Sequence, residues 1–263
     1  TNAFNIGRKV VSDPHWVETI NLYRSGSLAS KPILSSEALS LIDSISPDDE
    51  LRKILEHRTQ ELIEYQNLSY AKEYMSFVGN IFEKEQKTRS SSELSQNVAK
   101  YLFKLMATKD EYEVARLSLK AELDSAINKE FGKSAKISYM LHPPCLKAME
   151  NIPILNMLPG VKSKLALGSW FKVFYVMLKN MKFLRGTPFD FMAWFSNDVR
   201  KADRKALNHY KSILSNNIDE IGNGKYQDLK EFSILPDIIR GYEEVRLETM
   251  DEFYLKSNNL FKS

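Results

Sequence analysis

The chain has 263 residues, of which 43% are hydrophobic and 27% charged, and its formal net charge is +3 at pH 7. This composition is typical of a globular protein with a substantial core, and it excludes the disordered and low-complexity classes. The single cysteine, Cys145, excludes an internal disulfide framework and a cysteine-ligated iron–sulfur cluster within the chain. One cysteine is also consistent with a reducing, cytoplasmic compartment.

The first 45 residues predict a connector. Ser25-Gly26-Ser27 and Ser30-Lys31-Pro32 are rich in helix breakers, and only a short helix is expected, near 15–23. The chain opens without an initiator methionine, which is typical either of an excised part of a longer protein or of processing during expression. Residues 46–263 are then expected to form a helical domain.

The run Ser46-Pro47-Asp48-Asp49-Glu50 predicts the start of a helix. Ser46 is expected to cap it, and the acidic residues suit the positive end of the helix dipole. Apolar residues continue at spacings of three, four and seven as far as Phe82. This pattern predicts either one long helix or two helices broken near Asn67.

The next elements are shorter. A helix is predicted from Leu94 to about Thr108, with 110–117 continuing it, and another from Ala121 to Phe131, ended by Gly132. Alternation over 136–141 predicts a short strand. The expected fold class is therefore mainly α, a multi-helix domain with at most a short strand or small sheet near 136–141.

Leu165 to Leu184 predicts an amphipathic helix. Its lysines are too many for a membrane span, so we expect it to pack on the core, a membrane-surface helix being the alternative. An aromatic cluster follows and is expected to be core rather than a base-stacking platform: Phe189, Phe191, Trp194 and Phe195. A polar helix over 198–221, ended by Gly222, precedes the last helical block.

Positive charge is concentrated in the middle of the chain. Residues 160–211 contain eleven lysines and arginines against three acidic residues. This excess predicts a positive face if the segment folds compactly. Phosphate-binding glycine loops and the HExxH, CxxC and GxSxG motifs are absent from the sequence, and the four histidines are widely separated. We therefore predict no catalytic, cofactor-binding or metal-binding residue in this chain.

The run 101–117 places a dense cluster of both charges beside an apolar stripe. Such a pattern predicts an ion-pair network that holds two elements in register, or a docking surface. Asp110 and Glu111 are expected to pair with nearby cations of the same run. The candidate structural or interface residues from this cluster are Lys104, Lys109, Asp110, Glu111, Glu113 and Arg116.

Three further candidates lie at predicted breaks. Arg185 and Arg240 each precede a glycine, where a guanidinium can join carbonyls or carboxylates. His142 lies between the predicted strand and two prolines, where its ring can bind a loop backbone or face a pocket of a larger assembly.

The charged run resembles one in the C-terminal region of the indolepyruvate ferredoxin oxidoreductase family of fused 2-oxoacid oxidoreductases. Similar blocks occur in the family's order: Tyr65-Gln66-Asn67, Leu141 with Pro143-Pro144, Leu184-Arg185-Gly186-Thr187, and Leu235-Pro236 with Ile239-Arg240-Gly241-Tyr242. The opening residues 2–14 are similar to the end of the family's preceding catalytic domain. Two departures are that His142 replaces a small residue and that 243–246 lacks a Gly-His-Val-Lys pattern, so the role of that histidine does not transfer.

The resemblance implies a parent reaction, the oxidative decarboxylation of an arylpyruvate to its acyl-coenzyme A with ferredoxin as electron acceptor. Thiamine diphosphate and iron–sulfur clusters are expected in other segments of the parent. The chain itself is expected to be an inactive accessory domain that braces a cytoplasmic, homo-oligomeric enzyme. Its expected partners are the remaining domains and, through the basic segment, ferredoxin, with no nucleic acid and no membrane. The alternative is a stand-alone helical protein that uses 160–211 to bind nucleic acid or an acidic partner.

Overall fold

The structure is a computed structural model that describes residues 33–132, 137–141, 165–190, 192–193, 197–241 and 243–261. Its α-helices are α1 (Ser36–Asp43), α2 (Asp49–Tyr65), α3 (Leu68–Thr88), α4 (Glu93–Met106), α5 (Glu111–Ser118), α6 (Ala121–Phe131), α7 (Lys172–Asn180), α8 (Asn197–Asn217), α9 (Tyr226–Ile234) and α10 (Glu243–Leu260). Short 3-10 helices cover Ser169–Phe171, Met181–Leu184, Ile218–Asn223 and Leu235–Ile238. The protein is mainly α, as the sequence predicts.

A small sheet accompanies the helices. Strands β1 (Tyr139–Leu141) and β2 (Leu165–Leu167) pair antiparallel, with Tyr139 opposite Leu167. The first strand lies within the predicted 136–141 segment. Its partner was expected to begin the amphipathic helix, and that prediction is wrong, because the helix begins only at Lys172.

Side chains that bind the backbone decide where the first long helices begin. Asp48 rather than Ser46 caps α2, since its carboxylate accepts a hydrogen bond from the Leu51 amide at 2.8 Å. Asn67 caps α3 in the same way, through the Tyr70 amide at 2.9 Å. The apolar pattern up to Phe82 is therefore divided between two helices, as one of the two alternatives predicts.

The prediction that 110–117 continues the preceding helix is wrong. The Asp110 side chain accepts from the Glu113 amide at 2.8 Å and caps a separate helix, α5. Periodicity cannot detect such a break, because the apolar spacing continues across it while the backbone turns. The next prediction is confirmed: α6 covers Ala121–Phe131 and ends at Gly132, whose φ is 80°.

A buried carboxylate from α3 caps α4. Glu85 is fully buried, and its two oxygens accept from the amides of Leu94 and Ser95, each at 2.9 Å. The Ser95 hydroxyl and the Tyr226 hydroxyl donate to the same carboxylate at 2.5 and 2.8 Å. A negative charge at a helix N-terminus is favourable, so Glu85 joins α3, α4 and α9 through one group.

The main core lies among α1 to α4 and α8 to α10. The apolar stripe of α4 faces it, with Leu102, Leu105 and Met106 all buried. Aromatic side chains from the second half of the chain complete it: Tyr210, Tyr226, Phe232 and Phe253. Helices distant in sequence therefore bury their apolar faces against one another, which is the dominant favourable contribution to folding.

A second, smaller core lies between α5 and α7. It consists of Tyr112, Ala115, Phe171, Tyr175 and Leu178. The small sheet borders it, since the rings of Tyr139 and Tyr175 meet edge to face with centroids 5.1 Å apart. The two cores require a joint between them, and the charged residues of the candidate site form that joint.

Three other predictions can be compared with the structure. The polar helix ends at Asn217, and the following 3-10 helix ends at Gly224 (φ 97°) rather than at Gly222. Of the aromatic cluster, Phe189 is exposed and not core, while Phe191, Trp194 and Phe195 lie outside the described residues. The described end of the predicted connector contains α1, whose Ile42 is part of the main core.

Among the described residues, no helix combines the length and the apolar character that crossing a bilayer requires.

Candidate functional site

The C-terminal end of α2 is bound by cations from another part of the chain. The last carbonyls of a helix have no partner within it and carry partial negative charge. The Lys182 amine donates to the carbonyl of Glu64 at 2.6 Å, and the Arg185 guanidinium donates to that of Tyr65 at 2.7 Å. Since α2 has no basic residue in its own last turn, the 3-10 helix Met181–Leu184 and Arg185 supply the missing charge.

Arg185 is the centre of this joint. Its guanidinium makes a two-pronged contact with Asp110, with Nε–Oδ2 and Nη2–Oδ1 distances of 2.5 and 2.9 Å. It also donates to Gln66 Oε1 at 2.6 Å and stacks 3.8 Å above the centre of the Tyr65 ring. Burial alone would lower the pKa of Arg185, but the hydrogen bonds and charge of Asp110 outweigh it and raise the pKa.

Arg116 forms a second cluster on the same side of α2. Its buried guanidinium binds three carboxylates, those of Glu61 at 2.5 Å, Glu64 at 2.6 Å and Glu113 at 2.7 Å. Lys120 also pairs with Glu61 at 2.6 Å. Two glutamates belong to α2 while Arg116 and Glu113 belong to α5, so the cluster fixes α5 against α2 in one register.

A third cluster joins α5 to α8. Arg200 pairs with Glu111 and with Asp190, the latter at 3.0 Å. Asp190 is almost fully buried and also accepts from the Tyr112 hydroxyl at 2.9 Å and the Gly186 amide at 3.1 Å. Burial raises the pKa of Glu111, and the charge of Arg200 opposes that rise.

The Arg185 and Arg200 clusters line a cavity of about 400 Å³. Its wall includes Tyr65, Tyr70, Lys109, Asp203 and Arg204 together with the residues of the Arg185 and Arg200 clusters. Burial raises the pKa of Tyr65 to about 12, so its hydroxyl is protonated at neutral pH and donates to the Thr108 carbonyl at 3.1 Å. We call this cavity the charged cleft.

Every carboxylate that lines the charged cleft is bound by an arginine. Asp110 pairs with Arg185, Glu111 and Asp190 pair with Arg200, and Asp203 pairs with Arg246 at 2.7 Å. Burial raises the pKa of Glu111 and of Asp203, and the positive charges of Arg200 and Arg246 oppose that rise. The arrangement is suited to holding helices together and to recognising charged groups.

The predicted candidates fall into three places. Asp110, Glu111, Glu113, Arg116 and Arg185 lie in the clusters just described, and Lys109 lines the cleft. The expected partners of Asp110 and Glu111 within the run are replaced by Arg185 and Arg200. Those arginines come from distant segments, so local spacing could not identify them.

The other two described candidates lie on a neighbouring surface. The Lys104 amine donates to the Asp237 carbonyl at 3.1 Å, and burial lowers its pKa. Arg240 donates to the same carbonyl at 2.9 Å and to the Asp237 carboxylate at 2.5 Å, just before Gly241 with φ 80°. Each arginine that precedes a glycine therefore binds both a carbonyl and a carboxylate. His142 lies outside the described residues.

The sequence reasoning missed several residues of the site. Glu61 and Glu64 were not identified, although they lie three residues apart and so share one face of α2. Asp190 was not identified as a buried anion, although it follows a glycine–proline turn that brings it back to the Gly186 amide. No sequence signal indicates Arg200, since it is one of several cations in a polar helix.

The described residues do not provide a set of ligands for a metal ion. Among the residues that the structure describes, no group of three or more His, Cys, Asp or Glu side chains is placed to hold a metal ion. An iron–sulfur cluster takes cysteine thiolates, and the sequence contains one cysteine. The carboxylates of the three clusters are instead engaged by arginine and lysine side chains.

The fold and the site define a mainly α domain with two cores and a charged joint between them. A model of a protein family described as "Family of unknown function (DUF6537)" matches residues 51–258. The chain belongs to this family. Neither the curated proteins nor the solved structures contained a significant match to it.

Proposed function

We propose that this protein is the non-catalytic C-terminal domain of an indolepyruvate-type 2-oxoacid:ferredoxin oxidoreductase and that it braces the parent enzyme. The parent would convert an arylpyruvate to its acyl-coenzyme A in the cytoplasm, as a homo-oligomer. Thiamine diphosphate and iron–sulfur clusters would be bound by the parent's other segments. The proposal rests on the blocks of sequence that resemble that family.

One structural observation supports it: three of those blocks, far apart in the chain, meet at the charged cleft. The block at 65–67 supplies Tyr65 and Gln66, the charged run supplies Asp110, and the block at 184–187 supplies Arg185, whose guanidinium contacts the other three residues. The block around 235–242 contacts the charged run outside the cleft, where the Lys104 amine donates to the Asp237 carbonyl. If the joint serves the same purpose in this protein and in that family, the residues that form it are expected to be similar in the two.

The pairing of charges supports a bracing role over a chemical one. The carboxylates of the charged cleft are held by arginines, and the cations Lys182 and Arg185 bind the end of α2. Ion pairs that fix helices in register give conformational specificity, which a domain that supports a larger enzyme requires.

The alternative of a basic face for nucleic acid or an acidic partner has less support. Lys182 binds the backbone carbonyl of Glu64, and several other cations of 160–211 form ion pairs within the chain: Lys172 with Asp124, Arg185 with Asp110, Arg200 with Asp190, and Lys211 with Glu73. A cation bound in this way contributes less to long-range attraction. The same argument reduces the weight of ferredoxin steering by this segment.

The proposed function is tested on the native protein. An antibody raised against this chain should recover, from the source cells, a polypeptide several times larger than 30.4 kDa. That polypeptide should contain thiamine diphosphate and iron and should reduce viologen with an arylpyruvate and coenzyme A. A native band near 30 kDa, recovered without an oxidoreductase, would show that the proposal is wrong.

A further inference from the structure

A segment of the chain lies between two helices of the main core. Helix α4 contributes Leu102 to that core, and α8 contributes Tyr210. Between them in sequence, α5 and α7 contribute their buried apolar residues to the second core instead. Within the described part of the chain, the two cores have no buried residue in common. We call the described elements from Asp110 to Asp190 the inserted unit.

Charged side chains join the inserted unit to the main core on two sides. On one side, Glu61 of α2 binds both Arg116 and Lys120, at 2.5 and 2.6 Å. On the other side, Arg200 of α8 binds Asp190 at 3.0 Å. In each of these pairs one charge belongs to the inserted unit and the other to a helix of the main core. The charged joint is therefore the boundary between two separately packed parts of the chain.

A boundary made of ion pairs resists separation less than an apolar one does. Charges that are buried in a pair have lost their hydration, and they regain it when the pair separates. Apolar surfaces have no such gain, because separation exposes them to water. Among the described residues, the second core is also the smaller of the two. The inserted unit is therefore the part of the described fold that opens most easily.

We propose that the inserted unit opens separately: it detaches at the charged joint and loses its structure while the main core stays folded. Proteins open in cooperative units of this kind at a lower free energy than complete unfolding requires. Opening also separates the two walls of the charged cleft. Tyr65 and Tyr70 belong to α2 and α3, whereas Asp110 and Arg185 belong to the inserted unit. The joint thus controls access to the cleft without disturbing the main core.

The first test is amide hydrogen exchange of the full recombinant chain at low urea concentrations, measured by mass spectrometry of peptide fragments. The amides of α5 and α7 should exchange at one common free energy that is lower than that of α4. Their exchange should also depend less steeply on urea, because opening of the inserted unit exposes less surface than complete unfolding does. One urea dependence shared by α4, α5 and α7 would overturn the proposal, and so would exchange of α5 and α7 that does not depend on urea.

Two variants should change the exchange rates in different regions. Glu61→Gln keeps the shape of the side chain but weakens its contacts with Arg116 and Lys120 across the joint. It should speed exchange about tenfold in the inserted unit and in the main core alike, because complete unfolding also breaks the joint. Leu102→Ala leaves a cavity in the main core and should speed exchange about thirtyfold or more there. It should leave the rates in α5 and α7 unchanged, since the main core is still intact when the inserted unit opens.

The matched control for Glu61→Gln is Glu83→Gln. Glu83 pairs with Lys87 of its own helix, α3, and both side chains are more than 60% exposed. Its substitution should change the exchange rates by about twofold or less. Equal acceleration of α4, α5 and α7 by Leu102→Ala would show that the two cores unfold together. Unchanged rates in α5 and α7 with Glu61→Gln would show that the charged joint does not control the opening, and either result overturns the proposal.

The separate opening of the inserted unit does not depend on the identity of the parent enzyme, because every exchange rate is measured on this chain alone. If the native polypeptide carries no thiamine diphosphate or iron, the proposed function is wrong, whatever the exchange rates are. If it carries both and the two cores unfold together, the proposed function stands and the separate opening is wrong.

Discussion

Replacing Arg185 with alanine should destabilise the protein by several kcal/mol, about 3–5, because its ion pair with Asp110 is buried. The guanidinium is 13% exposed and its partner Asp110 is 6% exposed, so both charges are largely removed from water. The substitution removes the two-pronged contact with Asp110, the hydrogen bond to the Tyr65 carbonyl and the stacking on the Tyr65 ring. It leaves a buried carboxylate without its counter-ion.

The magnitude follows from this burial. Removing one partner of a buried ion pair costs about 3–5 kcal/mol, most of it the cost of leaving the other charge uncompensated. For a chain of this size, each kcal/mol lowers the melting temperature by about 2–4 °C, so Arg185→Ala should lower it by about 6–20 °C. Arg185→Lys should cost less, because lysine keeps the charge but loses the two-pronged geometry and the stacking.

The assay is urea unfolding of the recombinant chain followed by circular dichroism. Arg240→Ala is a matched control, because Arg240 also binds one carbonyl and one carboxylate but is 70% exposed. Exposed pairs contribute under about 1 kcal/mol. The double variant with Asp110→Asn should lose less than the sum of the single changes, since no buried charge is then left alone. Losses for Arg185→Ala and Arg240→Ala within about 0.5 kcal/mol of each other would refute the argument from burial.

Three further predictions concern the cores. Glu85→Gln should lower the free energy of unfolding in urea by about 2–4 kcal/mol, because an amide cannot accept the four hydrogen bonds that the carboxylate accepts. The exposed Glu83→Gln is the control and should change stability little. Equal effects of the two changes would refute the capping role of Glu85. Burial and the charge of Lys205 lower the pKa of His209 in the folded protein. The unfolded chain therefore binds the proton more readily than the folded chain does. The stability that is present above about pH 6.5 should fall as the pH drops through the folded pKa. His209→Gln should flatten this slope between about pH 7 and 5, and an unchanged slope in that variant would exclude His209 as the cause. Leu102→Ala, at a fully buried side chain, should cost about 2–5 kcal/mol by leaving a cavity, and a loss below about 1 kcal/mol would contradict its place in the core.

The sequence alone predicted most of the helical pattern. Apolar spacing identified the faces that α2, α3 and α4 bury, and Gly132 correctly marked the end of α6. These features are local, because a helix face and a positive φ angle depend on residues within a few positions. The mixed-charge run and the two arginines before glycines were also recognisable from the sequence.

The tertiary structure decided which charges meet. Asp110 has near neighbours of opposite charge in its own run, but it binds Arg185, 75 residues away, because the packing of α7 against α5 brings those segments together. It also decided that Leu165–Leu167 is a strand, since an apolar run of a few residues suits either a helix or a strand until a partner such as β1 is in place. The local spacing of residues determines which face of a helix or strand is apolar. Long-range packing determines which other element contacts that face and which charged residues pair along its edge.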